Sequence, residues 1–127
     1  MLIIDKETRE KLLENGKPEN RDQDHPPVVQ ISILSTDCVW LLSDLDPDAE
    51  NIAFGLCDLG MGFPELGYVD LNEIAELSMS ASVMPIIFVN KINATHQLTT
   101  YYRASLIDNK ITTDEKLLIQ ASQTKTQ

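Results

Sequence analysis

Lysine and arginine are missing from residues 22–90, a stretch that carries twelve aspartates and glutamates. The rest of the chain holds all ten basic residues against eight acids, so the net charge of −10 arises in the middle. A one-signed middle repels nucleic acid and acidic membranes and attracts basic surfaces or cations. Lys91, Arg103 and Lys110 are scattered and make no basic stripe, so direct nucleic-acid binding is not expected. No apolar run approaches the roughly 20 residues of a membrane-spanning helix. The start, Met-Leu-Ile-Ile-Asp-Lys-Glu, lacks a basic region ahead of an apolar stretch, so no secretory signal and a cytoplasmic location are expected. Cysteine is confined to Cys38 and Cys57, in apolar runs without zinc-ligand spacing. Two buried reduced thiols are expected there, with no metal and no cofactor.

What is present points to a folded domain. At 127 residues and 43% hydrophobic content the chain can bury a core without covalent staples. Asp5 is placed to cap a short helix over 6–15 with Gly16 as its stop, lying outside the core. Period-two alternation begins at Val29, Ile31 and Ile33, against Gln30 and Ser32. Further strands are expected over 38–45, 52–59, 66–69 and 86–89, joined by Ser35-Thr36-Asp37, Asp46-Pro47-Asp48 and the Gly60–Pro64 loop. Asp70 with Glu73, Thr95, and Thr112 with Glu115 are candidate starts for later helices. The fold class expected is α+β: an antiparallel meander of four to five strands with helices packed mainly on one face. Residues 1–107 form the domain, and 108–127 a short helix and a tail frayed from Gln120.

Candidate chemistry is sparse. Asp44, Asp46, Asp48 and Glu50 alternate as calcium ligands do, but the loop template then needs glycine and glutamate where Ala49 and Gly55 stand. An acidic hairpin turn is the simpler expectation, and no metal site is assigned. Asp58 and Glu65 flank the Gly60–Gly62 loop and are the best pair for acid–base or metal-assisted catalysis, which requires them in one cleft. Gly60-Met61-Gly62 is followed by Phe63-Pro64 rather than a helix, so it makes no phosphate cradle. His25 and His96 lie far apart, and neither cysteine adjoins a cation that would activate it. No catalytic residue is assigned. An exposed Phe63 beside Met61 would make an apolar anchor for a partner.

Four segments carry a resemblance: His25–Val29, Cys38–Asp48, Ile52–Gly60 and Phe63–Val69. Together they resemble the bacterial family catalogued as domain of unknown function 2958, over about residues 1–92. The resemblance implies a setting on plasmids, phages and integrative elements, often beside antirestriction-type genes, and it brings no catalytic residue. Pro85-Ile86-Ile87-Phe88-Val89 lacks the Glu-Arg-Asp that usually follows the proline in that family, and the tail beyond Ala94 lies outside the resemblance. The function expected is therefore an acidic accessory protein of a mobile genetic element that binds a protein with a basic surface. Asp44, Asp46, Asp48 and Glu50 would supply the charges, with Met61 and Phe63 as the anchor, in an anti-defence or inhibitor role. The alternative is a metal-assisted enzyme using Asp58 and Glu65.

Overall fold

The computed structural model describes residues 2–81 and 85–123. Helix α1 (Lys6–Asn15) starts where the Asp5 carboxylate accepts a hydrogen bond from the Thr8 amide at 2.8 Å. It stops at Gly16, whose backbone stays right-handed, so positive φ is not why glycine is there. A Cβ at Gly16 would sit 1.9 Å from the Leu45 carbonyl oxygen, so the helix end can press onto the sheet only through glycine. Leu12 of α1 is fully buried. The expectation that this helix lies outside the core is therefore corrected: a thin apolar stripe still reaches the core when its backbone comes this close.

Strands β1 (Val29–Ile33), β2 (Val39–Asp46), β3 (Ala49–Asp58) and β4 (Glu65–Asp70) form an antiparallel meander. Helix α2 (Leu71–Ala81) follows, and β5 (Ile87–Lys91) pairs antiparallel with the free side of β1. The order is β4-β3-β2-β1-β5, a five-stranded antiparallel sheet within an α+β fold. Helices α3 (Leu98–Asp108) and α4 (Glu115–Gln123) complete the described elements.

The helices divide between the two faces instead of gathering on one. Val29, Ile31, Trp40, Leu42 and Leu45 join Leu12 of α1 and Leu71 and Ile74 of α2 in one core. Leu41 and Leu56 point the other way, into a second core with Leu98, Tyr101 and Ala104 of α3 and Leu118 and Ala121 of α4. Strand β2 is buried on both sides and is the wall between them. Fraying does not begin at Gln120, because α4 runs to Gln123 and fully buries Ala121. Residues 124–127 lie outside the described residues.

Helix α3 begins at Leu98, with Gln97 in the capping position but no side-chain bond from it. Its first amides are served from a distant segment: the Asp24 carboxylate accepts from the Thr99 amide at 3.2 Å and the His25 carbonyl from Leu98 at 3.0 Å. A carboxylate at a helix N-terminus also meets the positive end of the helix dipole. The polar segment 17–27 is thus fixed against α3.

Candidate functional site

The four acids expected to act together are held in different ways. Asp46 closes the hairpin turn, its carboxylate accepting from the Asp48 amide at 2.9 Å. Glu50 faces Arg9 of α1 at 3.6 Å, and Asp48 is exposed. Asp44 is only 8% exposed. Its position follows from a bulge: the β2–β3 register shifts between Leu42 and Asp44, leaving Ser43 as the extra residue. Asp44 then pairs with Phe54, which packs toward the second core, while Leu45 pairs with Ala53 in the first.

Asp44 lines a pocket of about 290 Å³ with Gly16, Arg21, Asp46, Ile52, Phe54 and Tyr68. Phe54 and Tyr68 meet edge to face, with ring centres 5.1 Å apart at 64°. Tyr68 stays 75% exposed. The Ser43 hydroxyl donates to the Phe54 carbonyl at 3.4 Å and lies near enough to the Asp44 carboxyl to favour its charged form. No cation forms an ion pair with Asp44 among the described residues. Burial pushes the carboxyl up to about 6 from its usual 3.8; nearby His25 and the Ser43 hydroxyl pull it down, and Asp46 adds to the rise.

Met61 and Phe63 lie elsewhere. Strand β3 has ten residues, about 30 Å at roughly 3.3 Å per residue, and it separates them from the acidic turn. The six residues expected as one binding patch therefore occupy opposite ends of the sheet. Leu59, Met61 and Phe63 are 48%, 68% and 77% exposed on the loop after β3. Gly60 and Gly62 have φ of +80° and +82°, a backbone that presents these side chains outward and that other residues rarely adopt. Buried Pro64 closes the loop.

Asp58 and Glu65 are not brought into one cleft. Asp58 is 3% exposed, and its two oxygens accept from the Gly60 amide at 2.8 Å and the Ile111 amide at 3.1 Å. It ties the β3–β4 loop to the α3–α4 connection. Glu65 pairs with Cys57, which packs against the first core on the opposite face of the sheet from Asp58. The Cys57 thiol is pushed up to about 11, first by burial and then by Glu65, so it is no ready nucleophile. Both cysteines are free thiols, but only Cys38 is buried as expected; Cys57 is half-buried. His25 holds its Nε2 2.7 Å from the Asn20 carbonyl, and His96 sits by Thr95 and Glu115. Among the described residues no three His, Cys, Asp or Glu side chains converge as metal ligands, and no helix is long and apolar enough to cross a membrane.

A larger cleft of about 630 Å³ runs between α1 and the segment after β5. Lys91 on its rim is already bonded to Glu7 at 3.0 Å and lies 3.7 Å from Asp5.

The sequence profile described as protein of unknown function DUF2958 matches residues 3–112. The chain belongs to the DUF2958 family. The match runs past the 1–92 of the sequence resemblance and takes in α3, but stops short of α4. No curated protein and no solved structure matches the chain. In this DUF2958 protein, sequence reasoning missed the grouping of Arg21, His25 and Tyr68 around Asp44. No local signal marks the bulge, because Leu41 and Leu45 fit unbroken period two as well as Leu42 and Leu45 fit a strand with an extra residue.

Proposed function

We propose that this protein is an acidic accessory protein of a bacterial mobile genetic element, acting in the cytoplasm by binding a protein with a basic surface. The observation that carries this reading is the β3–β4 loop. Three large apolar side chains are exposed on five consecutive residues, on a backbone held by two positive-φ glycines and the Asp58 carboxylate. Scattered surface apolar residues need no explanation, but a clustered set marks an interaction site.

The charge pattern selects the partner. Residues 22–90 offer only acids, so a basic protein is attracted and steered toward this end and the hairpin end alike. Occupying a groove that otherwise holds nucleic acid is the role such a surface suits, and it fits the mobile-element setting that the family resemblance implies.

Capture from native host lysate, with the wild-type chain beside Met61→Ser/Phe63→Ser and beside a chain reversed at Asp46, Asp48 and Glu50, tests this. The expected result is one enriched basic protein that the loop variant loses and that high salt weakens. An identical capture by all three chains, or none by the wild type, refutes the proposal.

A further inference from the structure

We propose that the pocket at Asp44 receives the guanidinium group of an arginine presented by the protein partner. This rests on the reading of the chain as a binder of basic proteins, and adds where a single basic side chain is recognised. Asp44 and Asp46 put two carboxylates on the pocket wall. Asp44 is only 8% exposed, yet among the described residues its carboxylate forms no ion pair and accepts from no backbone amide, with only His25 and the Ser43 hydroxyl near it. A buried carboxylate served this poorly is costly until a cation reaches it.

The remaining walls narrow the occupant. Phe54 and exposed Tyr68 offer aromatic surface against which a planar cation stacks. The volume, about 290 Å³, falls just below the roughly 300–1,000 Å³ of small-molecule sites and suits one inserted side chain. Arginine fits better than lysine because its fork bonds carboxylate oxygens side by side while its plane lies on a ring. The raised carboxyl agrees with a site awaiting its counter-charge. The groups near Asp44 are Asp46 on the same hairpin, His25 and Arg21 from segment 17–27, and the Tyr68 phenol from β4. Arg21 forms no ion pair among the described residues and is the chain's own rival for the pocket.

The probe is N-acetylarginine amide, titrated into the full chain and read by carboxyl and aromatic NMR shifts, with the neutral citrulline analogue as control. Shifts are expected at Asp44, Phe54 and Tyr68. Affinity is expected to be about tenfold weaker at about pH 5 than at about pH 7.5, because roughly one Asp44 carboxyl in ten is ionised at the lower pH. Saturation with the probe lowers the Asp44 titration midpoint. Asp44→Asn and the exposed-ring change Tyr68→Ala each weaken binding several-fold. Equal binding of the citrulline analogue, pH-independent affinity, or unchanged binding by Asp44→Asn overturns the proposal. Much tighter binding of free agmatine would assign the pocket to a small molecule instead. Arg21→Ala is expected to leave the midpoint of the free protein in place; a rise would show that Arg21 itself fills the site, and would overturn the partner's claim on it. Met61→Ser/Phe63→Ser leaves this titration unchanged, so failure of the loop reading and failure of the pocket reading are distinguishable.

Discussion

Replacing Asp44 by asparagine keeps the side-chain volume and removes the charge, and its effect on stability follows from where that carboxyl lies. Burial raises it from 3.8 to about 6. Two pKa units at about 1.4 kcal/mol each give a penalty of about 3 kcal/mol for holding Asp44 ionised in the fold. The native state binds this proton more tightly than the unfolded chain does. The contribution of Asp44 to stability therefore falls as pH rises from about 3.8 to about 6, and is level above that window. The Asp44→Asn variant escapes the penalty. It is expected to match the wild type near pH 4 and to exceed it by about 2–3 kcal/mol near pH 8. Urea titration followed by fluorescence of Trp40, the one tryptophan and 2% exposed, reads both. A gain of the same size at both pH values would show that the amide acts through packing or hydrogen bonding. No gain near pH 8 would show that the carboxylate is well solvated or paired, and would refute the reasoning.

Three further outcomes are open to the same assay. Asp58→Ala strands the Gly60 and Ile111 amides and should cost about 2–4 kcal/mol; a loss below about 0.5 kcal/mol would show that water replaces the carboxylate. Leu118→Ala opens a cavity in the α3–α4 core and should cost about 2–4 kcal/mol, whereas no loss would mean that α4 is not part of the stable unit. Gly16→Ala drives a Cβ toward the Leu45 carbonyl and should cost at least about 1–3 kcal/mol by forcing α1 off the sheet; a neutral result would contradict the close approach.

Much of the local structure is legible from residues alone. Asp5 and Gly16 bracket α1 as observed, and β1 shows its alternation openly. The two-sided burial is harder to read. Gln30 and Ser32 in β1 imply one wet face, and that is a sound inference for β1. Strand β2, with Trp40, Leu41 and Leu42 in succession, has the near-continuous apolar pattern of a strand covered on both sides. The placement of α3 on the second face depends on long-range partners such as Asp24, 75 residues from Thr99, and no local pattern encodes that. The candidate site divides in the same way. The apolar loop is visible in its glycines and in Met61 and Phe63, whereas the pocket depends on a fold of segment 17–27 over β2 and β3. The separation of the acidic turn from that loop follows from the length of β3, once its ends are known.

The bulge at Ser43 has an evolutionary consequence. It shifts the phase of β2, so that one strand serves two apolar faces and still delivers a carboxylate to the pocket. Substituting Ser43 leaves that phase alone. Deleting it would leave Leu42, Asp44 and Leu45 opposite Gly55, Phe54 and Ala53 in strict alternation, so both faces would keep their side chains and only the local twist of the bulge would be lost. At the bulge itself, a change of residue and the loss of one residue both leave the two faces in place. Relatives that keep a pocket here should therefore conserve an acid opposite the aromatic of β3 more strictly than the residue count between the tryptophan and the turn.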